Sequence, residues 1–139
     1  TCIRAAAADA RERHAAWEGQ ADVVMADVPC SGLGIIRKKP DIRYKNPKEL
    51  AQLPLVQRAI LENASGYVRP GGTLVYSTCT VLPEENEDVT GDFLDKHPEF
   101  EPVRTAFPLP VGPCPGQVTL WPQRHGTDGF YICRMRRKD

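Results

Sequence analysis

The run Ala21-Asp22-Val23-Val24-Met25-Ala26 is apolar apart from Asp22 and lacks the regular gaps of a helix face. It predicts a short strand over 21–26, buried on both sides. The run stops at Asp27-Val28-Pro29-Cys30-Ser31-Gly32, where Pro and Gly end regular structure and leave an ordered loop. After a loop over 33–45, Asn46-Pro47-Lys48-Glu49 has the form of a helix start, with Asn as cap and Pro at the first position. Pro54 interrupts it, so a helical turn should precede a main helix over 54–68. Leu53, Val56, Ile60, Leu61, Ala64 and Val68 supply that helix with an apolar face. Arg69-Pro70-Gly71-Gly72 is a turn, and residues 73–77 form a second buried strand. Pro83 opens another helix, ending near 96–98, with Glu84, Glu85 and Glu87 in its first turns, where the helix dipole favours acids. Seven of the 13 prolines fall between Pro98 and Pro122, which predicts an irregular connection with one strand near 100–103. Thr127-Asp128-Gly129 is a turn signal, and 130–135 is a final strand.

Strand, loop, helix, strand is a βαβ crossover, so the chain belongs to the α/β class. Ligands of such sheets sit beyond the carboxyl ends of the strands. Asp27 to Cys30 and Thr78-Cys79 both fall at that edge. Two cysteines 49 residues apart in sequence should therefore meet there.

Composition narrows the classes. The chain has 139 residues, enough for one domain with its own core. Eighteen basic residues balance 18 acidic ones, so no global field draws it to nucleic acid or an anionic membrane. No apolar stretch approaches the roughly 20 residues that span a bilayer, and residues 1–9 lack a signal-peptide core. The five cysteines include no Cys-x-x-Cys pair. That pattern argues against a disulfide scaffold or a metal site and predicts reduced thiols in the cytoplasm.

Cys79 lies four residues before Pro83, near a helix N-terminus that would stabilise a thiolate, so it is a candidate nucleophile. Cys30 is a candidate second thiol, and Asp27 a candidate hydrogen-bond partner for substrate. The competing reading makes each cysteine a small buried hydrophobe. It stands level with the chemical reading for Cys30 and Cys79, and is preferred for Cys2, Cys114 and Cys133. The Cys-x5-Arg phosphate loop is excluded, because six residues separate Cys30 from Arg37. Arg37, Lys38, Lys39, Arg43, Lys45 and Lys48 face only Asp41 within 37–48. This local basic patch suits a phosphate backbone; a solvated loop is the alternative. Glu84, Glu85, Glu87, Asp88, Asp92 and Asp95 form an acidic face, read as solvated surface.

The segments Asp27-Val28-Pro29-Cys30-Ser31-Gly32, Arg37-Lys38-Lys39-Pro40-Asp41-Ile42-Arg43, Tyr76-Ser77-Thr78-Cys79-Thr80-Val81-Leu82-Pro83-Glu84-Glu85-Asn86 and Asp128-Gly129-Phe130-Tyr131 resemble the Sun (Fmu, RsmB-like) RNA cytosine-5 methyltransferases. The resemblance runs through essentially all of 1–139. It implies a partial Rossmann-like S-adenosylmethionine-dependent methyltransferase fold, with a mostly parallel sheet, flanking helices and a C-terminal antiparallel strand. It implies that Cys79 adds to carbon 6 of cytosine, that Cys30 assists release of the methylated base, and that Asp27 contacts the cytosine edge. Asp9, Asp27 and Pro29 would meet the S-adenosylmethionine cofactor. Arg37, Lys38, Lys39 and Arg43 would meet RNA, with small-subunit ribosomal RNA as the expected substrate.

The Gly-rich cofactor loop and the N-terminal RNA-binding region of that family have no counterpart here. The expectation is a C-terminal part of the catalytic domain, with an open strand edge available for self-association. A catalytically inactive fold fragment, at most binding RNA through 37–48, is the alternative. A small-molecule or protein methyltransferase is disfavoured, because transfer to oxygen or nitrogen needs no thiol adduct.

Overall fold

In the computed structural model, which describes residues 2–139, the first apolar run is strand β1 (Ala21–Asp27). Asn46 caps the helical turn α1 (Pro47–Leu50) by accepting the Lys48 N–H, as its sequence pattern predicts. The main helix α2 (Leu53–Tyr67) follows, then strand β2 (Val68–Thr78). A 3-10 turn (Pro83–Glu85) leads into α3 (Glu87–Lys96) and β3 (Phe100–Pro102). A small hairpin of β4 (Thr105–Ala106) and β5 (Pro113–Cys114) precedes β6 (Gln117–Leu120), α4 (Pro122–His125) and β7 (Phe130–Arg137).

β1 and β2 are parallel neighbours joined by the α2 crossover, and β7 lies antiparallel on the far side of β2. The other edge of β7 is shared by β3 and β6, both antiparallel to it. The parallel character expected of the sheet thus resides in β1–β2, and the expected C-terminal antiparallel strand organises the rest. The core occupies one face. Leu61 and Ala64 of α2 and Val89 and Phe93 of α3 pack on Leu74, Tyr76, Tyr131, Cys133 and Met135 of the sheet. Among the described residues no helix is long and apolar enough to cross a membrane.

Three expectations about the strands and their connections need correction. β1 is not buried on both faces: Val23 is 62% exposed and Met25 70%, because β1 is the end strand and α2 covers only the Val24–Ala26 face. The turn expected at Arg69–Gly72 lies within β2 as a bulge: two steps along β1 (Ala21 to Val23) oppose five along β2 (Val68 to Thr73), and Gly71 takes a φ of +72°. The 98–122 connection is more ordered than its prolines suggest, since β6 is held by β7 and β4 by β5. Cys114 and Cys133 are buried as packing residues, as expected, but Cys2, expected to be buried as well, is exposed.

Candidate active site

β1 and β2 run in parallel with Asp27 opposite Ser77, so the loops that follow leave the sheet at the same edge. Val28 N–H donates to the Ser77 carbonyl (3.1 Å), extending the alignment into the loop. The consequence is that Cys30 Sγ and Cys79 Sγ lie 3.2 Å apart, both half-buried. This is hydrogen-bond contact, well beyond the roughly 2.05 Å of a disulfide. The Cys79 backbone N–H also points at Cys30 Sγ (3.3 Å). Burial first, and then the bond to Cys79, pushes the Cys30 thiol up to about 12. Either sulfur can donate in the contact between them.

A buried polar layer supports the pair. Ser31 Oγ donates to Thr80 Oγ1 (2.8 Å), tying the two loops together directly. Ser31 N–H donates to Glu85 Oε2 (2.9 Å), and Gln57 Nε2 donates both to that oxygen (2.8 Å) and to the Pro29 carbonyl (3.0 Å). Thr78 Oγ1 donates to Asn86 Oδ1 (2.6 Å), and Asn86 Nδ2 donates to the Thr80 carbonyl (3.1 Å). Glu85, read from sequence as part of a solvated acidic face, is only 2% exposed. The turn opened by Pro83 carries Glu85 and Asn86 inward.

A third segment closes the wall. Gly34 N–H donates to the Cys79 carbonyl (3.0 Å), and Gly129 N–H donates to the Gly34 carbonyl (2.8 Å). Asp128 then receives Arg37 (3.2 Å) and Lys38 (2.5 Å). These two members of the basic patch hold the Asp128 carboxyl below the usual range, Lys38 contributing most. Lys45 Nζ is bound to the Ser31 carbonyl (2.8 Å). Lys39 and Arg43 are exposed and have no ion-pair partner among the described residues.

A cavity of about 390 Å³ reaches Pro29, the residue before Cys30, though neither sulfur lines it; its volume is within the usual range of about 300–1,000 Å³ for ligand sites. Asp9, Asp27 and Pro29 all line it, together with His14, Trp17 and Ile60. Asp27 is exposed and accepts the Ser77 hydroxyl (2.9 Å). Asp9 is bonded by the Arg11 side chain and N–H, which hold its carboxyl at about 2. His14 Nε2 is buried without a hydrogen-bond partner among the described residues. A larger cleft, about 490 Å³, is lined by Arg11, Glu62, His97 and Arg137 and includes neither Asp27 nor Pro29. No cluster of three or more His, Cys, Asp or Glu is placed to hold a metal ion among the described residues.

Residues 1–136 match the model of the family described as 16S rRNA methyltransferase RsmB/F. The chain belongs to the RsmB/F methyltransferase family. It is 43% identical over 145 aligned positions to a probable ribosomal RNA small subunit methyltransferase B of Bacillus subtilis, covering 99% of this chain and 32% of that protein. The solved structure of PH0851 superposes with a TM-score of 0.77 at 36% identity, covering 86% of this chain and 27% of that one. NSun6 from Pyrococcus horikoshii, solved with SFG, gives a TM-score of 0.64 at 28% identity, covering 83% of this chain and 29% of that one. This RsmB/F chain thus spans about a third of the length of the curated relative. The fold is the Rossmann-like methyltransferase fold of these neighbours.

Proposed function

We propose that this chain is the C-terminal part of the catalytic domain of a cytoplasmic, S-adenosylmethionine-dependent RNA cytosine-5 methyltransferase acting on small-subunit ribosomal RNA. The observation that carries the reading is the thiol pair, Cys30 and Cys79 at 3.2 Å, at the ligand edge of the sheet. Methylation of an oxygen or nitrogen needs no sulfur nucleophile, whereas carbon 5 of cytosine is too weakly nucleophilic until a thiolate adds to carbon 6.

Cys79 donates an electron pair to carbon 6, forming an S–C6 bond and making carbon 5 electron-rich. S-adenosylmethionine supplies the methyl group as an electrophile when bound. Loss of the carbon 5 proton to water restores the C5–C6 double bond and expels Cys79 as thiolate. Cys30, 3.2 Å away, assists that expulsion by donating its S–H to the departing sulfur. Asp27, steadied by Ser77, faces the cytosine edge. The base must leave its stack to reach both sulfurs.

The residues fit the cofactor: the cavity at Asp9, Asp27 and Pro29 is large enough and joins an aromatic wall to the unpaired His14 Nε2. SFG, an analogue of S-adenosylmethionine, accompanies a structural neighbour. Lys39 and Arg43 offer unpaired cations to phosphate, with Arg37 and Lys38 available by exchange from Asp128.

The test uses the full-length enzyme, the cofactor and RNA carrying 5-fluorocytidine, whose fluorine blocks loss of the carbon 5 substituent. A covalent protein–RNA complex is expected. Cys79→Ala should abolish it, and Cys30→Ser should accumulate the adduct on ordinary cytidine RNA. A complex that survives Cys79→Ala would remove the assigned nucleophile.

A further inference from the structure

Both peptide neighbours of each sulfur are tied down, and the ties converge on two consecutive residues. Pro29 and Ser31 flank Cys30. The Ser31 N–H ends on the Glu85 carboxylate, and the Pro29 carbonyl receives Gln57, which is itself held by the same carboxylate oxygen. Thr78 and Thr80 flank Cys79. The Thr78 hydroxyl and the Thr80 carbonyl both end on the Asn86 amide, which is fully buried. The turn that carries Glu85 and Asn86 is anchored in turn by the Tyr76 hydroxyl, which donates to the Glu85 carbonyl (2.6 Å).

This layer is an expensive way to fill space. Glu85 Oε1 and Gln57 Oε1 are buried with no hydrogen-bond partner among the described residues. A buried carboxylate with one unpaired oxygen costs more than an apolar side chain of the same volume. Its return lies in geometry. Two short loops from different strands are held so that their sulfurs meet within hydrogen-bond distance.

We infer that Glu85 and Asn86 are separate positioning residues for the two thiols, Glu85 with Gln57 for Cys30 and Asn86 for Cys79. The inference rests on the cysteine roles proposed above and adds a division of labour. Disturbing the Glu85 side slows release of product while leaving attack intact. Disturbing Asn86 slows attack and leaves nothing to accumulate. A residue that merely stabilised the fold would depress both steps together.

The experiment measures two quantities in the full-length enzyme: the rate of trapping by 5-fluorocytidine RNA, and the steady amount of covalent adduct on cytidine RNA. Cys30→Ser is run alongside. Removing a buried acceptor of this kind is expected to change the affected step by about ten- to a hundredfold. Glu85→Ala and Gln57→Leu should accumulate adduct as Cys30→Ser does, with trapping within about threefold of the parent enzyme. Glu85→Gln keeps one oxygen for both donors and should restore release. Asn86→Ala should trap at least about tenfold more slowly, with no accumulation. If Glu85→Ala does not fold, Gln57→Leu decides the Glu85 half. Accumulation in Cys30→Ser without accumulation in Glu85→Ala or Gln57→Leu overturns the Glu85 assignment alone. No accumulation in Cys30→Ser removes the release role of Cys30 and, with it, that of Glu85; trapping by Asn86→Ala still decides the other half. Normal trapping by Asn86→Ala overturns that half.

Discussion

At the residue scale, two glycines meet backbone to backbone in the wall of the site. A Cβ on Gly34 would sit 2.0 Å from the Gly129 carbonyl oxygen, and one on Gly129 would sit 2.7 Å from Gly34 Cα. Backbone atoms cannot yield as a side-chain tip can. Gly34→Ala must therefore push the 33–35 turn away from Gly129, and with it the N–H that holds the Cys79 carbonyl. The expected cost is about 1–3 kcal/mol of stability, read as a lower denaturant midpoint. Trapping by 5-fluorocytidine RNA should slow as well, and parent-like stability together with parent-like trapping would show the contact to be unimportant. The meeting of the sulfurs was legible in the sequence, because parallel strands of a crossover deliver their following loops to one edge. Glu85 was not. Its neighbours Glu84 and Glu87 are acidic too, and the groups that draw it inward, Ser31 and Gln57, lie 54 and 28 residues away.

At the element scale, α2, α3 and the approach to β3 are joined by one imidazole. His97 closes α3, stacks on Phe93 (ring centroids 4.4 Å apart) and bonds to Glu62 of α2 (2.8 Å) and to Glu99 (3.0 Å). Burial alone would lower its pKa. The bonds to Glu99 and Glu62 outweigh that and raise it above the ordinary 6.5. A raised folded-state pKa stabilises fully below the unfolded value and is lost as pH climbs through the folded one. The carboxylates are largely exposed, so the contribution is modest, about 0.5–1 kcal/mol. His97→Gln should therefore melt roughly 2–5 °C below the parent at pH 6, with the gap closing by pH 9. A gap that widens with pH would contradict the assignment. Elements with their own periodicity, such as α2, were readable from sequence to within a residue or two. β6 was not, because its residues are strand only by pairing with β7, and no local pattern among the prolines announces that partner.

At the scale of the whole molecule, the chain presents an uncovered sheet edge. β1 terminates the strand order, and Val23 and Met25 stand exposed on the face that no helix among the described residues covers. An end strand offers unpaired N–H and carbonyl groups, and here it adds apolar side chains beside them. That combination is a template for pairing with another chain. The family resemblance anticipated the open edge, but the apolar pattern misjudged the face, since the run Val23–Ala26 implies cover on both sides wherever the cover comes from. The 139 residues expressed alone should therefore self-associate, with a weight-average sedimentation coefficient that rises with concentration. Met25→Lys places a charge on the end strand at a position already in solvent, so folded stability should change by no more than about 0.5 kcal/mol. Association should weaken, because a second β1 brought alongside would have to bury that charge or set two of them against each other. Sedimentation of the parent chain as a monomer at every concentration would show that its edge is protected by its own twist and bulge. Unchanged association in Met25→Lys would place the contact on another surface.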